Sequence, residues 1–211
     1  VVRILNACAK KAPVILLNDI AYIDYSYDVD HSRDYIKTFD AFNENVFVVI
    51  AFSCSKSLTS YGLRCGAAIL MAKTKEAVRS VEIVFEKAAR ATWSNIPNAA
   101  MDNFTFVTTD NHNAYMKEKE FYIKLLKERS EIFVEEAKAC GLSCYPYKEG
   151  FFVTVKMEDN NIRDEFHEAL MQNHIYTVKV NKGIRVAVCS LSVEKCKGLA
   201  KRMADILNNL S

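Results

Sequence analysis

The segment Ser53-Cys54-Ser55-Lys56 carries the densest chemistry in the chain, and Arg64 follows eight residues after the lysine. It comes directly after the apolar run Val46–Phe52, so the lysine stands at the mouth of a buried strand. Open α/β sheets place ligands at such strand ends, and partial desolvation there favours the neutral, nucleophilic form of an amine. An amine of that kind suits Schiff-base chemistry with a carbonyl compound. The hydroxyls of Ser53 and Ser55 and the Arg64 guanidinium are the donor types that gather around a phosphate. Taken alone, S-x-S-K is common, and a solvated lysine at a strand end is its ordinary reading. Arg185, within the apolar strand Gly183-Ile184-Arg185-Val186-Ala187, is costly to bury without an anionic partner. Asp19 and Arg90 each have a structural reading as well. The first is also a natural turn or cap residue, and the second ends an amphipathic helix, where a basic side chain complements the helix dipole.

These residues need elements to hold them. Residues 1–12 have helical character and are stopped by Pro13. Val14-Ile15-Leu16-Leu17 then reads as a buried parallel strand with Asn18 and Asp19 at its carboxyl end. Residues 22–45 read as a polar, aromatic loop, 46–52 as a second strand, and 66–72 as a third. The connection between the last two is too short for a helical crossover, which predicts an antiparallel pair. Helical spacing of apolar residues runs from Ala77 to Ala88 and is interrupted at Trp93-Ser94-Asn95-Ile96-Pro97. A long helical region over 98–139 is weak at residues 108–111, with Gly141 as its C-cap. Strands at 151–156, 175–178 and 184–188, a helix over 161–172 and one closing helix from Ser192 complete the chain. In that closing helix Val193, Cys196, Leu199, Ala200, Met203, Ile206 and Leu207 form a stripe of core type. The reading is α/β, in two units joined through the central helix.

Composition narrows the function classes. The 211 residues are 50% apolar and 26% charged, with a net charge of +2, so neither disorder nor a strongly basic nucleic-acid surface is indicated. No apolar run approaches the roughly 20 residues that span a bilayer, and no signal-peptide hydrophobic region opens the sequence. Seven cysteines, without a C-x-x-C, read as reduced thiols of a cytoplasmic protein. Cys54 adjoins the lysine but has no histidine near it in sequence, which argues against a catalytic thiol. His31, His112, His167 and His174 have no metal-ligand spacing, so no metal is expected. No Walker loop and no G-x-G-x-x-G is present, and the sequon Asn103-Phe104-Thr105 falls in a helical stretch.

Ser53-x-Ser55-Lys56, Arg64 and Gly66 together resemble the cofactor-lysine motif of fold type I, class I/II aminotransferases, the aspartate and aromatic aminotransferase group. Asp19-Ile20-Ala21-Tyr22, 37 residues before Lys56, is similar to that family's D-x-A-Y segment, and Gly183-Ile184-Arg185, 129 residues after it, to its G-x-R strand. The resemblance implies pyridoxal 5′-phosphate as cofactor, bound covalently by Lys56. It further implies that Asp19 pairs with the pyridinium nitrogen, Tyr22 bonds the phenolic oxygen and Ala21 packs on the ring face. Ser53, Ser55 and Arg64 would anchor the phosphate, and Arg185 would clamp the substrate α-carboxylate. Arg90 and Ser94 match the segment that binds a side-chain carboxylate in the neighbouring subunit's site. The implied reaction is ping-pong transfer of an amino group between an α-amino acid and a 2-oxo acid, with Lys56, Asp19 and Tyr22 catalytic, in a homodimer.

The family's chains are longer, and the resemblance covers their later half. The expectation is therefore a C-terminal part, inactive by itself. Residues 1–110 would be the end of the large, mostly parallel cofactor domain, and residues 111–211 the small α+β domain with its connecting helix. Two rival readings stay open: a pyridoxal-phosphate-dependent C–S or related lyase on the same scaffold, and a non-catalytic ligand-sensing domain of this fold.

Overall fold

Strands β1 (Val14–Asp19) and β2 (Val46–Ser53) run parallel, with Val14 opposite Val46 and Asp19 opposite Ala51. Strand β3 (Gly66–Met71) joins the other edge of β2 antiparallel, as the short connection predicts, giving the order β1-β2-β3. This computed structural model describes residues 1–210. One face of the sheet is covered by α1 (Val2–Ala9) and by a 3₁₀ helix at Asp34–Ala41. Ala9, Phe39, Phe42, Val46, Val48 and Ile50 form the core there, and the Phe39 and Phe42 rings stack at 5.3 Å. The stretch read from sequence as loop thus holds 3₁₀ turns at Ile23–Tyr25 and Asp34–Ala41. Burying Phe39 against the sheet orders a segment whose polar composition concealed it. On the opposite face, Ile15 and Leu17 are 73% and 66% exposed.

The last register pair of β2 and β3 sets Ser53 against Gly66. A Cβ on Gly66 would lie 2.6 Å from the Phe52 carbonyl oxygen, so only glycine permits this pairing beside the lysine turn. Beyond Ser53 the chain makes one helical turn, α2 (Cys54–Ser57). After β3 come α3 (Lys75–Thr92), capped by the Thr74 hydroxyl, α4 (Asn98–Thr108) and α5 (His112–Ala139). The weak spot expected at 108–111 is a break between two helices. Gly141, at φ +76°, closes α5: Leu142 N–H donates to the Ala137 carbonyl and Gly141 N–H to that of Lys138.

The chain divides into two compact units, Val1–Met116 and the part from Lys117 onward. The second contains an antiparallel sheet of order β4-β6-β5, from β4 (Phe152–Lys156), β5 (Val178–Val180) and β6 (Gly183–Ala187). Its fully buried side chains include Phe133 of α5, Phe166 and Leu170 of α6 (Asn160–Gln172), Val153, Val155, Ile184 and Met203. Two expectations are corrected here. The strand read at 175–178 lies at 178–180, because residues 174 and 175 terminate α6: His174 turns to φ +60° and Ile175 N–H donates to the Leu170 carbonyl. The single closing helix is two, α7 (Val193–Cys196) and α8 (Leu199–Asn208). Gly198 adopts φ +78° between them, and the Glu136 carboxylate accepts from Gly198 N–H at 2.8 Å and Ala200 N–H at 2.9 Å, capping α8. The architecture is the mixed α/β class expected, with one partly parallel and one antiparallel sheet.

Candidate active site

The parallel pair fixes the geometry of the first cluster. Asp19 ends β1 level with Ala51, and the chain of β2 continues past it into Ser53 and the α2 turn, so both segments project at the carboxyl end of the strands. The Ser53 hydroxyl accepts from Ser55 N–H at 3.2 Å and so caps that turn. Asp19 Oδ1 accepts from Ala21 N–H at 3.0 Å, which folds the chain over after β1. Lys56 Nζ sits 3.4 Å from the centroid of the Tyr61 ring and 5.5 Å from that of Tyr22. A cation on an aromatic face gains about 0.5 to 2 kcal/mol depending on its desolvation. The two rings therefore hold the amine at a defined place.

Arg64 completes the cluster. It takes the left-handed conformation, φ +53°, and its guanidinium donates to the Tyr61 carbonyl at 2.7 Å and to the buried Ser55 hydroxyl at 3.4 Å. The structure thus brings Asp19, Ala21, Tyr22, Ser53, Ser55, Lys56 and Arg64 to one end of the first sheet, where β1 and β2 finish and β3 begins. An amine beside two hydroxyls and a guanidinium is a donor set suited to a carbonyl compound bearing a phosphate, and a carboxylate stands on the neighbouring strand end. Cys54 takes no visible part. Burial, reinforced by the Cys65 thiol, pushes its thiol up to about 12, which keeps it protonated and inert.

Arg90 and Ser94 are not brought into this group. Arg90, in the last turn of α3, donates to the Ser94 hydroxyl at 2.6 Å; both are exposed, and neither hydrogen-bonds to the Lys56 cluster among the described residues.

Arg185 belongs to the second unit. It lies on the central strand β6, opposite Thr154 on β4 and Val178 on β5. Its guanidinium carbon is 4.4 Å from the Phe152 ring centroid, and its buried Nε has no hydrogen-bond partner among the described residues. A buried guanidinium nitrogen without an acceptor is costly, and an incoming carboxylate would satisfy it.

Three tyrosines escaped the sequence reading. Tyr61 lay inside the motif loop, five residues from the lysine, and its aromatic character was the available signal. Tyr25 donates to the Lys56 carbonyl at 2.9 Å and Tyr115 to the Ser57 carbonyl at 2.6 Å. No periodicity or motif marks those two contacts. Among the described residues no cluster can hold a metal ion, and no helix is long and apolar enough to cross a membrane.

A model of the aminotransferase class I and II family matches residues 1–203. A solved aminotransferase from Anaerococcus prevotii DSM 20548 is 34% identical with a TM-score of 0.92, over 98% of this chain and 51% of that one. An aromatic-amino-acid aminotransferase from Burkholderia pseudomallei, solved covalently bound to pyridoxal phosphate, is 21% identical with a TM-score of 0.71 over 98% and 51%. A mutant of Thermus thermophilus aspartate aminotransferase complexed with tryptophan is 19% identical with a TM-score of 0.70 over 97% and 52%. At those identities the last two likenesses concern fold alone. The chain spans about half the length of these solved chains. A search of curated proteins found no match.

Proposed function

We propose a pyridoxal-phosphate transaminase as the function of this chain, which belongs to the class I and II aminotransferase family. The family depends on that cofactor, and the observation that carries the reading is the composition of the turn that bears Lys56: Ser53 caps it, its Ser55 hydroxyl accepts from the Arg64 guanidinium, and it continues the strand beside the one that ends at Asp19. Pyridoxal phosphate, when bound, supplies a ring that draws electrons from the Cα of an attached amino acid. In this reading residues 1–110 are the end of the cofactor-binding domain and residues 111–211 the small domain.

The protein's own residues then divide the work. Lys56 would join its amine to the cofactor's aldehyde with loss of water and, once displaced by the substrate amine, would take the proton from Cα and return it to the former aldehyde carbon, across the nitrogen. Asp19 holds a proton on the ring nitrogen by charge-assisted hydrogen bonding, which maintains the pull on electrons. Tyr22 donates to the ring oxygen, and Ala21 packs on the ring face. Ser53, Ser55 and Arg64 bind the phosphate. Arg185 grips the α-carboxylate of the amino acid or 2-oxo acid as a bidentate pair, using the Nε that lacks a partner. Arg90 and Ser94 act on a substrate side-chain carboxylate in the second subunit of a homodimer. The free thiols suit the reducing cytoplasm.

The test is spectroscopic. Adding pyridoxal phosphate to the whole protein, of which this chain is expected to be the later part, should produce the visible band of a lysine-linked cofactor, and Lys56→Ala should abolish it; a variant that keeps the band refutes the assignment. Amino acids should then convert the bound form to pyridoxamine phosphate, which a 2-oxo acid reverses. Release of ammonia without that conversion would indicate a lyase instead.

A further inference from the structure

We infer that Tyr25 and Tyr115 are positioning residues for Lys56, their hydroxyls clamping two consecutive carbonyls of the turn that carries it. The inference rests on Lys56 being the cofactor lysine. Its starting point is the weakness of α2, a four-residue helix. One turn fixes several dihedrals for very few internal hydrogen bonds, and its last carbonyls have no intrahelical partner. The Cys54 carbonyl accepts from Leu58 and Ser60 N–H, and that of Lys56 accepts from Thr59 N–H at 3.1 Å. The remaining capacity is met from elsewhere in the unit. Tyr25, three residues after Tyr22, gives its hydroxyl to the Lys56 carbonyl at 2.9 Å. Tyr115, in the first turn of α5, gives its hydroxyl to the Ser57 carbonyl at 2.6 Å.

Both donors suit the task. Tyr25 is buried, and burial together with nearby Asp24 holds the Tyr115 phenol well above the usual tyrosine range, so it stays a donor. The buried Ser57 hydroxyl has no partner of its own among the described residues, so it adds nothing to holding the turn. Tyr25 also does something Tyr115 does not. Its N–H donates to the Tyr22 carbonyl at 3.0 Å while its side chain holds the Lys56 backbone. One residue therefore ties the segment bearing Asp19 and Tyr22 to the segment bearing Lys56. Reacting groups displaced by about 1 Å can lose about a hundredfold in rate, so a backbone fixed at two adjacent carbonyls has direct consequences at Nζ.

The test uses Tyr25→Phe, Tyr115→Phe and the double variant of the full chain, which keep the rings and remove the hydroxyls. In cofactor-free protein, amide hydrogen exchange at Leu58 and Thr59 should accelerate in each variant. With pyridoxal phosphate, the visible band should form about tenfold more slowly, and its induced circular dichroism should change while the far-ultraviolet spectrum stays the same. A merely structural role would not alter that dichroism. The clamp is overturned if the double variant exchanges, links and rotates light as the wild type does, or if Leu58 and Thr59 of the wild type exchange as fast as open loop. If the wild type forms no band but the exchange arm responds, the clamp stands and the cofactor assignment falls.

Discussion

Lys56 and Arg185 are both cations at the ends or centres of sheets, yet their surroundings are opposite in kind. Lys56 is held at several points: its amine rests on the Tyr61 ring, its carbonyl takes the Tyr25 hydroxyl, and its turn is capped by Ser53. Arg185 is braced by one ring, Phe152, and its buried Nε lacks a partner among the described residues. The contrast separates two duties. A group that must meet one carbon atom at one angle gains from being held on several sides. A group that recognises a ligand has to retain hydrogen-bonding capacity for it, and on the proposed function that capacity is the place of the substrate carboxylate.

The comparison can be broken at either cation. The largest effect is expected for Arg185→Ala, which should weaken 2-oxo acid binding about a hundredfold or more, measured by titration of the pyridoxamine form. The Lys56-linked band should survive this change, since the two residues have separate duties; unchanged substrate affinity would remove Arg185 from recognition. Arg185→Lys should restore only part of the loss, because an ammonium lacks the bidentate fork. A smaller effect, about two- to tenfold in the same titration, is expected for Phe152→Leu, which removes the ring beneath the guanidinium. On the Lys56 side, Tyr61→Phe should behave as wild type in cofactor linkage. Tyr61→Leu should be slower by a few-fold, because the ring face and not the hydroxyl meets the amine.

The smallest expected signal concerns Cys54, the lysine's near neighbour. Folding raises its thiol from 9.0 to about 12, so the protonated form is favoured in the native state. Its contribution to stability is intact below pH 9, and is lost as the pH climbs towards 12, where the unfolded chain holds a thiolate and the folded chain does not. Alkylation of native protein near pH 8 should accordingly mark exposed Cys8 and spare Cys54. Equal labelling of the two would contradict the burial of Cys54.

Much of the frame was legible in the sequence because it is written locally. The runs 14–17 and 46–52 are apolar enough to be neighbouring parallel strands, and the short link to residue 66 required an antiparallel partner; the burial expected of the first run is corrected, because only one face of its sheet is covered and Ile15 and Leu17 stand exposed on the other. The grouping of Asp19, Ser53, Ser55, Lys56 and Arg64 at one end of the sheet follows from strand ends that the same runs define. What could not be read depends on partners distant in sequence. Phe39 orders a polar segment by packing on a sheet, and Glu136 caps α8 across 62 positions from Gly198. His174 ends α6 and displaces the following strand by a few residues. Tyr115 meets Ser57 from 58 positions away. Arg90 illustrates the opposite case. Its helix-end position was readable, and within this chain it bonds Ser94.

The central claim is that Lys56, at the carboxyl end of the parallel pair, is the residue that binds pyridoxal phosphate covalently. Borohydride reduction of the protein with pyridoxal phosphate, followed by peptide mapping, tests it without reference to activity. The account predicts one dominant phosphopyridoxyl lysine, at Lys56, competed away by an amino acid added before reduction. Label spread over surface lysines, or a dominant adduct at any other residue, would contradict it.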